Sequence, residues 1–202
     1  MSLSRLVLAL ILSAALTACG EEQEAAGPPA PQEPSREAVG YYCGMMVVEH
    51  AGPKGQIFLE DRAEPIWFSS VRDTLAFTML PEEPKTLAAV YVNDMAKVGN
   101  WDRPEPGLWV DAQDAHFVVG SDARGGMGAP EAVPFSDRAA AERFQSAHGG
   151  AIYRFEEIPE RFVLGPDDDP NGAMGAGSDP QLSDGAMGEA AGHSSHGAPD
   201  ND

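Results

Sequence analysis

Apolar positions in the middle of the chain fall into short runs whose order repeats. In the first half, "GQIFLE" and "PIWF" have the pattern of strands, "SSVRDTLAFTML" has apolar residues at helical spacing, and "TLAAVYVND" is a third strand. The second half offers "AHFVVGS" and "AVPF" as strands, "SDRAAAERFQSAHGG" as a helix, and "AIYRFEEI" as the closing strand. Ser69 or Ser70 is suited to cap the first helix and Ser136 the second, which Gly149 should end. This order predicts an α+β fold of duplicated ββαβ units that form two small lobes.

Composition divides the 202 residues into a folded centre and two polar flanks. All tryptophans and tyrosines lie between residues 38 and 164, which is enough chain for one domain or two small, mutually packed lobes. Pro, Glu and Ala dominate the preceding flank and Gly, Ala and Asp the following one, so both should be disordered. The predicted organisation is a signal peptide at 1–18, a flexible tether at 19–37, a first ββαβ unit at 38–95, a linker at 96–115, a second unit at 116–164 and an acidic tail at 165–202.

The first residues of the chain have the form of an export signal. Arg5 precedes the apolar run "LVLALILSAAL", which is too short for a transmembrane helix. The run ends in "LTAC", which resembles a bacterial lipobox, and this resemblance implies that Cys19 becomes the diacylated first residue of a periplasmic, membrane-anchored protein. The alternative is an ordinary signal peptide with a coincidental cysteine. The sequence does not distinguish the inner from the outer membrane.

The formal net charge of −19 argues against one class of partner, nucleic acid. Phosphate binding needs a basic face, so nucleic acid is not expected to bind. The acidic residues are not arranged with the spacing of a calcium-binding loop.

The stretch "GYYCGMMVVEH" combines several metal-binding side chains. If Cys19 carries lipid, Cys43 is the only thiol left, although exported proteins usually pair their cysteines. Met45, Met46 and His50 follow it closely, and thiolate, thioether and imidazole are the donors that suit Cu(I). We therefore consider a copper site here, against the alternative of a plain buried cysteine, two methionines that fill the core and a surface histidine.

The geometry of this stretch depends on one glycine. In an extended segment Cys43 and Met45 face the same side, and Met46 faces the other. A turn at Gly44 would redirect Met46, and glycine makes such a turn accessible. The sequence leaves open whether His50 or Met46 completes a site.

A second methionine lies in the loop "RGGMGAP" between two predicted strands. Met127 has Gly125, Gly126 and Gly128 around it, so packing in the core explains it poorly. A mobile loop that presents a thioether to a ligand explains it better. We expect this loop and the Cys43 segment to face each other across the two lobes.

The tail offers an accessory metal site of its own. It contains two methionines and two histidines in an acidic, glycine-rich stretch, and His-rich tracts can bind metals. The alternative is a solvated tail without a metal. The residues concerned are Met174, Met187, His193 and His196.

Taken together, the lipobox, "CGMMVVEHAGPKGQIF", "VYVND", "HFVVGSDARGGMG" and "FSDRAAAERFQSAHGGAIYRFEEI" resemble the NosL family of copper-binding lipoproteins. The resemblance covers nearly the whole folded region. It implies a periplasmic, membrane-tethered metallochaperone that binds Cu(I) and supplies the copper–sulfide centre of nitrous oxide reductase, with the reductase or its assembly machinery as partner. It also implies a fold similar to the duplicated ββαβ arrangement of organomercurial lyases. The family's Cys-Gly-Met maps onto Cys43, Gly44 and Met45, and its second-loop Met-Gly onto Met127 and Gly128.

Two other functions are compatible with the same residues. A general periplasmic copper scavenger or sensor would share the site and differ in its partners. A thiol-dependent lyase would pair Cys43 with His50, His116 or His148 as a base. The sequence shows no third orienting group and offers one thiol where the lyases use more, so we predict that the protein is not an enzyme. His116 begins a predicted strand, and His148 lies at a helix end that favours a cation, so structural roles explain these two histidines better than catalytic ones.

Overall fold

The fold consists of two small antiparallel sheets with three helices, seen in a computed structural model that describes residues 27–165. No helix within that range is long and apolar enough to cross a membrane. The first unit is built, in chain order, from β1 (Gly55–Leu59), β2 (Ile66–Phe68), α1 (Val71–Met79) and β3 (Leu87–Asn93). The second is built from β5 (His116–Val119), β6 (Val133–Phe135), α2 (Arg138–His148) and β7 (Ala151–Tyr153).

The two units have the same topology, which confirms the predicted α+β fold with a duplicated ββαβ arrangement. In each, the first strand is central and pairs antiparallel with the other two, giving the orders β2-β1-β3 and β6-β5-β7. The helix crosses from the second strand to the third. Short continuous apolar runs carry this pattern, because the central strands are buried on both faces: adjacent residues such as Ile57 and Phe58 of β1 point to opposite sides and are both fully buried.

The segment between the units contains a strand that the sequence did not predict. β4 (Trp109–Asp111) pairs with the end of β3 and becomes the fourth strand of the first sheet. It lies in a stretch rich in turn-forming residues, and only its pairing with Tyr91, Val92 and Asn93 makes it extended.

Two further boundaries differ from the predictions. The closing strand ends at Tyr153, because Phe155–Glu157 form a 3-10 turn in which Arg154 donates its backbone N–H to the Glu157 carboxylate at 2.9 Å. A short helix, α3 (Glu160–Leu164), follows and packs on α1.

The helix caps confirm one prediction and correct another. Ser70 caps α1, its hydroxyl accepting a hydrogen bond from Asp73 N at 3.0 Å. α2 is capped by Asp137, whose carboxylate accepts from Ala139 and Ala140, and not by Ser136. Ser136 instead donates its hydroxyl to the buried Asp94 carboxylate at 2.6 Å. As predicted, α2 ends at Gly149, whose φ of 76° is a conformation that glycine adopts without strain.

One apolar core joins the two units. Buried side chains of β1, α1 and β3, such as Ile57, Leu75 and Val92, cluster with Phe117 of β5 and Phe162 of α3. α2 covers the other face of the second sheet through a separate cluster. The lobes are therefore packed against each other through a shared core.

Part of the predicted tether is attached to the first sheet. Gln32 exchanges two hydrogen bonds of 2.9 Å with the side chain of Gln56, and Pro29 accepts one from the hydroxyl of Tyr91 at 2.9 Å. Gln56 and Tyr91 are paired across β1 and β3, so they point to the same face. The Pro-rich composition did not indicate this contact, because its partners lie far along the chain.

Candidate metal centre

Cys43 lies in a tight turn built on two glycines. Gly44 donates its N–H to Gly40 O at 2.8 Å, and Gly40 donates to Met45 O at 2.9 Å. Gly44 has a φ of 64°, so the turn that glycine makes accessible there is present. A Cβ on Gly40 would lie 2.6 Å from Cys43 Sγ, so glycine leaves the room into which the thiol folds back.

The thiol is half-buried beside the start of α1. Cys43 Sγ lies 3.4 Å from the hydroxyl oxygen of Ser69, and 4.0 Å from each of the carbonyl oxygens of Gly40 and Met45. Tyr41 donates its N–H to Trp67 O at 2.8 Å, which ties the turn to β2. Cys43 is a free cysteine.

Met45 and Met46 are at the surface. Their side chains are 42% and 40% exposed, which is against the alternative that they fill the core. The apolar contact of this stretch comes from Val47, which is fully buried at the start of a 3-10 turn (Val47–Glu49). The turn after Cys43 thus leaves both thioethers accessible from solvent.

His50 follows that turn and contacts the second methionine loop. Its Nδ1 lies 3.4 Å from Gly126 O, and its buried Nε2 has no hydrogen-bond partner. A Cβ on Gly126 would overlap the Cβ of His50 and lie 3.0 Å from Ala51 O. The glycine next to Met127 is therefore what lets the two loops touch.

The Met127 loop is a hydrogen-bonded turn. Gly128 donates to Gly125 O at 2.8 Å, Gly125 donates to Ala129 O at 2.9 Å, and Gly128 has a φ of 80°. Met127 at its tip is 52% exposed. We expected the glycines to make the loop mobile, and the structure gives two of them a packing role: Gly126 against His50, and Gly125 with its Cβ position 3.4 Å from Ser70 Cβ.

Both loops therefore meet at the N-terminus of α1. Ser69 Oγ lies 3.4 Å from the thiol of the first loop, and Ser70 Cβ lies 3.4 Å from the Cβ position of Gly125 in the second. A cavity of about 410 Å³ beside this point is lined by residues that include Ser70, Met127 and Glu131. The serines were recognised from the sequence only as cap residues.

The other two histidines of the described chain lie elsewhere. His116 starts β5, where burial lowers its pKa, helped by Arg154 and Arg138. His148 lies in the last turn of α2, its Nδ1 2.9 Å from an Asp122 oxygen. Their places in the second unit agree with structural roles.

A buried acid and a buried base lie behind the loops, and sequence reasoning missed both. Burial raises the pKa of Glu131 to about 8 and lowers that of Lys54 to about 8, and the attraction between the two opposes each shift. Glu131 Oε1 accepts from the N–H groups of Arg72 and Ala132, whereas its buried Oε2 has no hydrogen-bond partner and lies 2.5 Å from the Cβ position of Gly125. A single glutamate ahead of a short strand gave no signal of this.

The donors at the two loops are unusual in kind. Within residues 27–165, no three His, Cys, Asp or Glu side chains form a group able to hold a metal ion. The side chains near the loops are instead one thiol, the exposed thioethers of Met45, Met46 and Met127, and one imidazole. These are donors for a soft ion such as Cu(I) and not for Mg²⁺ or Ca²⁺.

The fold and these loops define a class of small α+β proteins that present soft donors from two ββαβ units. The sequence profile of the NosL family matches residues 31–163, and the chain belongs to this family. It is 44% identical over 181 residues to the copper-binding lipoprotein NosL of Achromobacter cycloclastes, with 89% of each chain covered. It is 34% identical over 164 residues to the lipoprotein of the same name from Stutzerimonas stutzeri, with 78% of this chain and 80% of that one covered.

A solved structure agrees with the fold. The crystal structure of the copper chaperone NosL from Shewanella denitrificans matches with a TM-score of 0.62 and 35% sequence identity, covering 66% of this chain and 98% of that one. These relatives are named as a copper-binding lipoprotein and a chaperone, and not as enzymes, in agreement with the prediction made for this chain.

Proposed function

We propose that this protein is a copper chaperone that binds Cu(I) through Cys43, Met45 and Met127. The observation that supports the proposal is the contact between His50, which follows the only described thiol by seven residues, and Gly126, the neighbour of Met127. The names of the relatives support copper as the metal. The +1 oxidation state is supported by the donors, because thiolate and thioether prefer the softer ion.

One further ligand comes from His50 or Met46. His50 has a buried ring nitrogen, Nε2, without a hydrogen-bond partner, so a metal could bind there without displacing another contact. Met46 is exposed and would need a rotation of its side chain to reach the thiol's metal. Titration of Cu(I) into His50→Ala and into Met46→Leu distinguishes them, because only the variant that lacks the ligand should bind more weakly.

The same geometry suits release as well as capture. Cys43 is half-buried and fixed in its turn, whereas the methionines are exposed at loop tips. An incoming ligand from a client could displace a thioether while the thiolate still holds the ion. A chaperone needs this behaviour, and a storage site does not.

We infer that the client is nitrous oxide reductase and that the delivered copper enters its copper–sulfide centre. The support is the family resemblance of the motifs. A general periplasmic scavenger or sensor remains the second candidate function, because the same soft donors would bind Cu(I) without a dedicated client. Anaerobic mixing of the Cu(I)-loaded protein with copper-free reductase tests the client, since a scavenger should retain its copper.

We also propose that Cys19 carries a lipid anchor in the periplasm, supported by the lipobox and by the word lipoprotein in the names of the relatives. Cys19 lies outside the described residues. Intact mass spectrometry should find a diacylated N-terminus in the membrane fraction, and Cys19→Ala should remove the protein from that fraction. An unmodified Cys19 in membrane-free protein would exclude the anchor.

The proposed accessory site also lies outside the described residues. If Met174, Met187, His193 and His196 hold copper, a chain ending at Gly165 should bind fewer equivalents of Cu(I) than the full chain, with unchanged affinity at Cys43. Equal stoichiometry of the two chains would make the tail a solvated extension.

A further inference from the structure

Exposed apolar side chains are concentrated at the two loops. Among the described residues, eight large hydrophobic side chains are 38–52% exposed, and six of these lie between Val39 and Val48. A seventh is Met127, and the eighth is Leu164 at the end of α3. We call the first seven the loop surface: Val39, Tyr41, Tyr42, Met45, Met46, Val48 and Met127. Six of the seven lie within ten consecutive residues, and the His50–Gly126 contact joins their segment to the Met127 loop. Exposed apolar residues that cluster in this way mark interaction sites.

The two tyrosines of this surface are held in place before any partner arrives. Tyr41 packs edge-on against Phe77, with ring centroids 5.4 Å apart, and Tyr42 lies 5.8 Å from Phe68. Both hydroxyls donate to the Glu83 carboxylate, at 3.2 Å from Tyr41 and 2.8 Å from Tyr42. Such rings add contact area to an interface at a small cost in side-chain entropy.

The border of the loop surface is acidic. A groove of about 490 Å³ beside Val39 and Tyr41 is lined by Glu37 and Glu64, with Arg62 as its only basic residue among the lining residues. Glu83 adds a carboxylate on the side of the tyrosines. Within residues 27–165 acidic residues outnumber basic ones by 21 to 12, so the described part of the chain as a whole has the same sign.

We propose that the loop surface is the docking site for the copper acceptor, a protein whose own metal-entry face is apolar and has a basic rim. The inference rests on the proposed chaperone function, because the surface surrounds Cys43 and a partner seated on it would face the bound ion. The acidic border favours a basic protein over two other occupants. It repels the anionic headgroups of a membrane, and it repels a second copy of the same border.

The experiment separates docking from copper binding. Copper-free nitrous oxide reductase is the acceptor, and a small Cu(I) chelator is the comparison. The double variant Tyr42→Ser/Val48→Ser contains no proposed ligand, and Leu164→Ser is its control with similar exposure outside the loop surface. We expect the double variant to keep the Cu(I) affinity and the rate of transfer to the chelator, but to transfer to the reductase more than about tenfold more slowly. Leu164→Ser should stay within about twofold of wild type.

The charged border has its own test. Glu37→Lys/Glu64→Lys should slow association with the reductase at low ionic strength by about tenfold, and the difference should shrink in high salt. The control Glu156→Lys changes an exposed charge in the 3-10 turn after β7, and Glu156 does not line the groove beside Val39 and Tyr41.

Each other outcome identifies a different error. If the reductase binds and hydrogen exchange of residues 39–48 is not slowed, docking occurs elsewhere and the inference is wrong, although the client stands. If the chaperone still binds Cu(I) but the reductase neither binds to it nor receives copper, the reductase is not the client. It is then also excluded as the protein that docks on the loop surface. Self-association, or binding to phosphatidylglycerol vesicles, that the double variant loses would assign the surface to a second copy or to lipid.

Discussion

The connection between the first two strands differs sharply between the two units. In the first unit it spans residues 60–65, between β1 and β2, and in the second it spans residues 120–132, between β5 and β6. The short connection is an exposed polar turn, in which Arg62 donates to Leu59 O at 3.2 Å. The long one contains Gly125, Gly126 and Met127. Two units with one topology therefore differ at the place where the second provides a thioether.

The Cys43 turn adds the opposite asymmetry. It precedes β1, whereas the segment before β5 is only a short turn after β4, closed by a hydrogen bond from Ala115 N to Asp111 O of 3.1 Å. Each unit thus contributes one functional loop from a different position of the repeat. The loops meet because the shared core fixes the units against each other. The first unit contains the thiol and two thioethers, and the second adds the thioether of Met127.

The largest expected effect comes from removing the thiol. Cys43→Ser should lower the affinity for Cu(I) by more than about a thousandfold, because a hydroxyl is not a soft ligand. The fold should persist, since serine is slightly smaller and keeps a hydrogen-bonding group near Ser69. A competition titration with a Cu(I) chelator measures this. Ser69→Ala is the control, because it removes a neighbour of the sulfur but no proposed metal ligand.

The outcome that contradicts this prediction is simple. If the Cu(I) affinity of Cys43→Ser is within about tenfold of that of wild type, the thiol is not the dominant ligand and the metal is bound elsewhere.

The buried acid at the base of the long connection should make stability depend on pH. Glu131 has an ordinary pKa of 4.5 that burial raises to about 8, so the folded state binds a proton that the unfolded state releases across this window. Stability is therefore lost as pH rises from about 4.5 to about 8. Lys54 is protonated in both states over most of that window, because its folded pKa is about 8. It therefore changes the stability only above about pH 8, where the folded state loses a proton that the unfolded state still holds.

Glu131→Gln isolates this effect. The variant should resemble wild type near pH 5 and become more stable than wild type by about 2–4 kcal/mol near pH 8, measured by urea unfolding. Gln keeps the acceptor for the N–H of Arg72. The exposed Glu156→Gln should show no such pH dependence. A constant difference between Glu131→Gln and wild type at both pH values would mean that the carboxyl is not protonated in the fold.

A smaller effect should follow from separating the loops. The methyl group of Gly126→Ala would overlap His50, so one loop must move, at a cost of about 1–3 kcal/mol in stability and about tenfold in Cu(I) affinity. Gly128→Ala is the matched control. Its Cβ meets nothing within 4 Å, and only the strain of a φ of 80° is added.

Copper affinity is the measurement that matters for this pair. If Gly126→Ala destabilises the fold but leaves Cu(I) binding as tight as in Gly128→Ala, the contact between the loops serves packing only.

The sequence predicted the repeated ββαβ order because short apolar runs and helix caps are local signals. It indicated that a turn at Gly44 was accessible, and the structure forms that turn. It could not predict β4, since the extended form of Trp109–Asp111 depends on β3, or choose Asp137 over the adjacent Ser136 as a cap. The attachment of Gln32 to Gln56 was equally invisible, because both are ordinary polar residues until the fold brings them together.

At the candidate site, the residue types were predictable and their supports were not. Cys43 and Met127 stood out because a lone thiol and a glycine-flanked methionine have few structural explanations. Lys54 and Glu131 gave no signal, and Ser69 was recognised only as a possible helix cap. Their surroundings in the fold arise from burial and from neighbours distant in the chain. The glycines of the Met127 loop were interpreted as a source of mobility. The structure shows another reason for Gly126, because a side chain there would overlap His50, and a sequence pattern does not reveal such a contact.

The central claim is that one copper ion is bound by both loops, and X-ray absorption at the copper edge tests it most directly. Met127→Ile keeps the bulk of the side chain and removes the sulfur, and Met127 is exposed enough for the fold to tolerate the change. Cu(I)-loaded wild type should show one more sulfur scatterer than Met127→Ile, and the variant should bind Cu(I) more weakly. An unchanged sulfur shell would contradict the claim, because the ion would then be held entirely by the segment from Cys43 to His50.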